Sequence, residues 1–523
     1  NQIYLYVFDD FINSIMIRLI CFVVFFSTPI VSIFGSRDRN DKPYRIVCYW
    51  GTWSFYRPGL GRFQAEDINP NLCTHLHYGF AKLENNQIAL YDRDLDDGDT
   101  DWNSGLRWGH GMIRRMNHLR TYNKKLTTLI SIGGWNEGSD KYSMLVKSSK
   151  NRQIFIKSVL KFLKRFDLDG LDIDWEYPSM QANSDQERRI GREKDREDFV
   201  KLLKELRDAF KPYGYVLSIA VSAGKDTIDR AYSVPEISNY VDYINLMSYD
   251  FHGAWEMQTG HNAPMDSYPN FSEKEKIFTV KYAVNYWLGK NVDPKKLILG
   301  IPLYGRTFTL ATSNDSIHAP TIGHGGRSGP FTRTDGILGY NEICRILSQG
   351  WIVHRDPIEM IPYAVHADQW LGFDDAESIK TKLSFLIAKQ LGGAMLWSID
   401  TDDFGGYCGQ GKFPLTRMIS KQLNKVDGPD PKIDVYHYHR SSTDSTYATK
   451  TSPTTLPSTK NHPELTMSPA KFQCKRFGFF ADPLDPRIFH QCLRKKSGKW
   501  KDYNFRCSVG THFDERFHVC VGD

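Results

Sequence analysis

Residues Phe166–Pro178 read FDLDGLDIDWEYP, and their alternation decides the fold. In an extended strand successive side chains point to opposite faces, so Asp172, Asp174 and Glu176 share one face and Leu171, Ile173 and Trp175 the other. An ordinary half-buried strand does not set three carboxyls in file, because ionised neighbours raise one another's pKa. The pattern makes sense where one carboxyl has to stay protonated near neutral pH and act as a general acid. The competing readings are a solvated edge strand and a divalent-metal site. Leu171, Ile173 and Trp175 argue against the first, and the second would want His or further acids at ligand spacing. Asp169 is expected to face away from the other acids and to be structural.

Outward from this strand, short apolar runs alternate with helix-length segments from about 45 to 424. The strand candidates are Ile46–Trp53, Thr74–Ala81, Thr127–Gly133, Gly170–Glu176, Val216–Ser222, Tyr243–Tyr249, Leu297–Tyr304 and Ala394–Ile399. Eight such strands predict an α/β chain whose parallel sheet closes into a (β/α)8 barrel. Helical cover is expected at Arg152–Arg165, with Ile154, Phe155, Val159, Phe162 and Leu163 on one face, and at Phe199–Phe210. The charged run Asp185–Asp198 reads as a solvated loop and helix start. Thr307–Gly372 is too long and too rich in Gly and aromatics for one helix. It reads as a small α+β insertion between strand seven and its helix, with Ala376–Leu391 as the last crossover helix.

Active groups in such barrels gather where strands end. Those ends offer Tyr49 and Trp53, Phe80, Trp135 and Asn136, then Met247, Tyr249, Asp250 and Trp255. Tyr304, Arg306 and Trp397 complete the set. A single buried Trp is usually core, but four at one end of a barrel suggest a cleft floored by flat apolar faces, which suits pyranose rings.

These stretches carry a resemblance. DGLDIDWE fits the pattern DGxDxDxE of the glycoside hydrolase family 18 chitinases, and SIGGWN, LMSYDFHGAWE, GIPLYGR and GAMLWSIDTDDF are similar to that family's signatures. Retaining glycosidases commonly use a second carboxylate about 5 Å from the acid, whereas here all the acids stand on one strand. The resemblance implies substrate assistance instead, with the 2-acetamido carbonyl attacking the anomeric carbon to form an oxazolinium ion. On that basis Glu176 protonates the leaving oxygen and then activates water. Asp174 holds the acetamido N–H, and Asp172 shares a proton with Asp174, so the trio titrates as a unit. Tyr249 donates to the acetamido oxygen, Asp250 and Met247 shape the pocket, and Tyr304, Arg306 and the tryptophans position the sugar chain. The implied activity is endo-hydrolysis of β-1,4 bonds in chitin, with no metal and no cofactor. The alternatives are a non-catalytic chitin-binding lectin on the same fold and an endo-N-acetylglucosaminidase acting on N-glycan cores. Lectins of the family usually lose the terminal Glu, which is present here. The family also implies non-proline cis bonds at Gly79–Phe80, Glu176–Tyr177 and Trp397–Ser398.

The 523-residue chain is 41% hydrophobic and carries a net charge of +6 with its Lys and Arg scattered, which gives no basic stripe for nucleic acid. The apolar run Leu19–Phe34 after Arg18 reads as a secretory signal peptide, with Met16 as the natural start and residues 1–35 outside the fold. A secreted, extracellular monomer with no membrane span in its mature form is expected. Without Cys21 the cysteines are Cys48, Cys73, Cys344, Cys408, Cys474, Cys492, Cys507 and Cys520, an even set that reads as four disulfides. Cys48 and Cys73 lie near neighbouring strand starts, and Cys344–Cys408 would tie the insertion to the loop after strand eight; both pairings agree with the family. Asn270 and Asn314 head N-glycosylation sequons. Residues 425–470, dense in Ser, Thr and Pro, read as an O-glycosylated linker.

Residues 471–523 hold four cysteines and many aromatics, and resemble the peritrophin-like family 14 chitin-binding modules. Those usually carry six cysteines. Pro486 stands where the second would fall and the sixth is missing, so the resemblance leaves Cys474–Cys492 and Cys507–Cys520. Phe489, Trp500, Tyr503 and Phe505 are candidates for stacking on sugars, or equally for a packed mini-core. Barrel, linker and module together are similar to arthropod chitinases, mite allergens among them.

Overall fold

The computed structural model describes residues 43–98, 110–180, 191–426 and 430–433, and, near the C-terminus, 478–482, 485, 487–494, 500–506, 511–514 and 519–522. The signal segment, residues 434–470 of the linker, Asp185–Ile190, Cys474 and Cys507 lie outside them.

Eight parallel strands close on themselves: β1 Arg45–Gly51, β2 His75–Glu84, β3 Thr127–Gly133, β4 Gly170–Asp174, β5 Val216–Ser222, β6 Tyr243–Met247, β7 Leu297–Pro302 and β8 Gly393–Trp397. Each pairs with its sequence neighbour, and β8 returns to β1 with Arg45 opposite Gly393. The strands are buried on both faces, by the barrel interior and by the outer helices, which is why they read as continuous apolar runs. All eight candidates are strands, but five end two residues early, at Gly51, Asp174, Met247, Pro302 and Trp397. Glu176, Tyr249 and Tyr304 therefore stand beyond the ladder, where the chain turns over the barrel mouth.

The two faces of the acid strand behave as the alternation requires. Trp175 is 2% exposed, its indole N–H donates to Ser139 Oγ at 2.6 Å, and its ring stacks on Tyr142 and meets Phe199 edge-on. Phe199 belongs to the helix Asp195–Phe210, whose Leu202, Leu203, Leu206 and Phe210 complete one apolar stripe. The helix before β4 spans Ser149–Phe166, capped by Ser148 Oγ accepting from the Asn151 N–H. Its buried face includes Ile156, while Ile154 is only half-buried. Asp169 accepts from Arg120 and from the Thr128 backbone N–H at the bottom of the barrel, away from the other acids.

The insertion is a six-stranded sheet with one helix, Tyr340–Leu347, running from Tyr304 to Gly372. It begins three residues earlier than the sequence suggested, because Tyr304–Leu310 leaves β7 directly and pairs with Gln369–Gly372. The final crossover helix is Ala376–Ala388. Cys48 bonds to Cys73, though Cys48 sits mid-strand rather than at the start of β1, and Cys344 on the lobe helix bonds to Cys408. Gly79–Phe80, Glu176–Tyr177 and Trp397–Ser398 are cis peptides.

The C-terminal residues form a separate unit: an antiparallel sheet of Gly478–Ala481, Ile488–Arg494 and Trp500–Arg506, and a hairpin of Thr511–Asp514 with Val519–Gly522. Trp500 and Tyr503 lie on its third strand, Cys492 on its second and Cys520 in the hairpin. The two cystines expected there fall outside the described residues. Among the described residues no helix is long and apolar enough to cross a membrane.

One buried carboxyl makes stability depend on pH. Asp402 accepts from the Thr416 N–H at 2.8 Å and the Thr416 hydroxyl at 2.7 Å, and burial, outweighing those bonds, pushes it up to about 6. The native protein thus keeps a proton that the unfolded chain releases near pH 4. The associated stability is complete below that pH and is lost as pH rises through about 6, a change of up to about 3 kcal/mol at 1.36 kcal/mol per unit. In Asp402→Asn the side-chain oxygen still accepts, and urea melts between about pH 4 and 7 should show a stability slope flatter by that amount.

Candidate active site

The deepest acid is the most heavily solvated by protein. Barrel registry sets Ser131 of β3 and Ser218 of β5 on either side of Asp172. The Ser131 hydroxyl donates to Oδ2 and the Ser218 hydroxyl to Oδ1 at 2.7 Å. Tyr49 of β1 donates to Oδ2 at 2.7 Å, and Asn245 of β6 to Oδ1 at 3.3 Å. Nδ1 of His77, on β2, lies 3.5 Å from Oδ2. Burial pushes Asp172 up, but His77 and the serine hydroxyls outweigh it and hold the carboxyl below its ordinary range.

Asp174, one step up the strand, is the opposite case. It is 4% exposed and its Oδ1 has no hydrogen-bond partner. Burial first, then the charges of Glu176 and Asp172, raise it well above the usual carboxylate value. The surroundings thus push the two aspartates in opposite directions, Asp172 down and Asp174 up. The backbone there allows close approach only to glycine: Gly133 has φ +118°, and a Cβ would meet the Asp174 carbonyl oxygen at 2.1 Å.

Glu176 is half-buried at the mouth. Beyond burial, its charge raises the phenols of Tyr177, Tyr232 and Tyr249, which locates the carboxyl among them and above Asp174. Tyr249 is 8% exposed, and among the described residues its hydroxyl reaches only the weak acceptor Met395 Sδ at 3.7 Å. That leaves a strong donor without a strong acceptor, beside a neutral carboxyl and a carboxyl at the surface. Beside it, Met247 ends β6 half-buried, and Asp250 adopts φ +57° with its N–H on Asn262 Oδ1. The Tyr304 hydroxyl donates to Asp250 Oδ1 at 2.5 Å and Arg306 pairs with the same oxygen at 2.7 Å.

The strand-end tryptophans and Phe80 are all at least partly exposed. Trp397, Phe80 and Trp53 make a fan with centroids 5.9 to 6.3 Å apart. Trp53, Trp135 and Trp255 are each about half exposed or more, and the Arg306 guanidinium stacks over Trp255 at 5.0 Å. Exposed Asn136 follows Trp135 in the turn after β3. A cavity of about 340 Å3, lined in part by Trp53, Arg57, Asp250, Arg306, Phe331 and Trp397, forms one flank of this groove; the three acids do not line it. Tyr49, expected to touch sugar, is 1% exposed with its hydroxyl on Asp172, so it supports the acids from below. Ser131, Ser218, Asn245 and His77 were not singled out from the sequence. The available signal was a polar residue at an inward position of an otherwise apolar strand.

Comparison with known proteins gives the class to which this closed barrel and its acid file belong. The model of glycosyl hydrolases family 18 matches residues 45–402, and the chain belongs to that family. It is 39% identical over 431 residues to probable chitinase 10 of Drosophila melanogaster, covering 77% of this chain and 18% of that one. With chitotriosidase-1 of Mus musculus it shares 39% over 389 residues, 73% of this chain and 78% of the relative. Among solved structures, the Group IV chitinase of Ostrinia furnacalis in complex with allosamidin gives a TM-score of 0.67 at 41% identity, over 73% of this chain and 99% of that one. Human YKL-39, described as a pseudo-chitinase that retains chitooligosaccharide binding, gives 0.65 at 38%, over 73% and 99%.

Proposed function

We propose that the chain is a secreted, endo-acting chitinase that cleaves β-1,4 bonds between N-acetylglucosamine units with retention, through an oxazolinium intermediate. The carrying observation is the contrast along the acid file: Asp172 ringed by hydroxyl donors, Asp174 buried beside two acids with an Oδ1 that finds no donor among the described residues, and Glu176 at the mouth. The acetamido carbonyl oxygen attacks C1 while the C1–O4 bond breaks and Glu176 gives its proton to the leaving oxygen. The proton on Asp174 then relaxes toward Glu176, and the Asp174 carboxylate is left facing the cation. Tyr249, whose hydroxyl meets only a thioether, supplies the hydrogen bond to the acetamido oxygen. Glu176 finally hands that proton back to Asp174 as it takes one from the incoming water, which opens the ring with overall retention and restores the starting protonation of the file. The residues C-terminal to the linker add a peritrophin-like chitin-binding module, with Trp500 and Tyr503 for sugar contact. Asn270 and Asn314 are exposed, as glycan acceptors must be. The partners are chitin and its oligosaccharides.

Proton NMR of freshly cleaved chitohexaose tests the mechanism: the new reducing ends appear first as the β-anomer. The α-anomer first would overturn the retaining scheme. Binding without turnover would establish the second reading, a chitin-binding lectin, which the likeness to a pseudo-chitinase keeps in play.

A further inference from the structure

The proposed mechanism leaves one buried titratable group without a task. His77 and Asp172 are both 0% exposed, and Nδ1 of the imidazole faces the carboxylate at 3.5 Å, beyond a close hydrogen bond and with no nearer polar partner among the described residues. Nε2 lies 2.8 Å from the Tyr243 hydroxyl on β6. An ionised carboxylate only accepts, so the nitrogen facing it is a protonated one, and the Tyr243 hydroxyl holds the other side of the ring at Nε2. The other groups packed around the ring are Tyr49, whose ring centroid is 4.6 Å away on β1, and His75 on the same strand. Burial, then His77 and Arg45, push His75 down to about 3, so it stays neutral. Arg45 covers the far side of Tyr243 at 5.3 Å, and Asp174 stands above Asp172 in the file.

We infer that His77 is a positioning residue: its Nδ1–H, oriented by Tyr243, keeps Asp172 a carboxylate and so keeps the shared proton one step higher, on Asp174. This rests on reading Asp172–Glu176 as the reacting file. Hydroxyls from Ser131, Ser218 and Tyr49 also serve Asp172, yet each can turn its hydrogen elsewhere. The imidazole cannot, because its N–H direction is fixed in the ring plane and the Tyr243 contact at Nε2 holds the ring in place. Without the donor, Asp172 competes for the proton and the active form of the file disappears at a higher pH.

The test is the pH profile of kcat/KM on chitohexaose. His77→Leu should move the acid limb up by about one unit, the size expected for a lost partner of a buried carboxylate. His77→Asn, whose Nδ2 can occupy the Nδ1 position without titrating, should restore the wild-type limb. Tyr243→Phe should give a smaller shift in the same direction, which keeps the test open if the leucine protein does not fold. Unchanged limbs in all three, or equal shifts for Leu and Asn, would overturn the inference, since a packing defect does not distinguish donor from non-donor. The same profiles are read from chitotetraose affinity in the Glu176→Gln background, where no turnover is needed. Failure of the wild type to hydrolyse anything would sink the proposed function and still leave His77 to be judged on binding.

Discussion

Glu176→Gln lowers kcat on chitohexaose by about 10³-fold or more, the upper range for a lost general acid, with chitooligosaccharide affinity retained. The amide keeps the shape of the side chain but has no proton to give to the leaving oxygen and cannot take one from water, so both halves of the cycle fail together. Binding survives because the sugar is held by surfaces elsewhere: the fan of Trp397, Phe80 and Trp53, and Arg306 stacked over Trp255. The measurement is single-turnover hydrolysis beside calorimetric binding. A mutant with wild-type kcat would remove Glu176 from the reaction and end the substrate-assisted scheme.

Asp174→Asn lowers kcat by roughly 10²- to 10³-fold, a loss of about 3–4 kcal/mol, comparable with removal of one preorganised charge-stabilising group. Asparagine resembles the neutral form that the free protein holds, so folding and ground-state binding change little. It can never become the anion that faces the oxazolinium, and the loss therefore falls on kcat rather than KM. The variant also removes a carboxyl whose charge and that of Glu176 act on one another. Its pH profile should be simpler than that of the wild type, following the glutamic acid alone. A variant that lost affinity and kept kcat would show that Asp174 is a binding group only.

The two effects differ in origin although the residues are adjacent in the file. Glu176 stands past the end of β4, half-buried at the mouth, where it can meet a leaving group and then water. Asp174 is within the strand, closed off by Gly133 and burial, so its protonation is set by the protein. Solvent exposure, more than position along the chain, separates acid from charge-balancing partner.

Much of this molecule follows from local chemistry. Period-two alternation, apolar strands of similar length and helix-length spacers suffice to read a closed parallel barrel, because each signal is carried by residues near one another in the chain. The acids Asp172, Asp174 and Glu176 and the strand-end tryptophans were legible for the same reason. Only the closed barrel decides the rest. Tyr49, His77, Ser131, Ser218 and Asn245 come from five strands and meet at Asp172 through inter-strand registry, a long-range property with no local mark. That convergence holds Asp172 below its ordinary range, while burial and the charges of Glu176 and Asp172 push Asp174 up, since the pKa of a buried carboxyl depends on the donors and charges the fold brings around it.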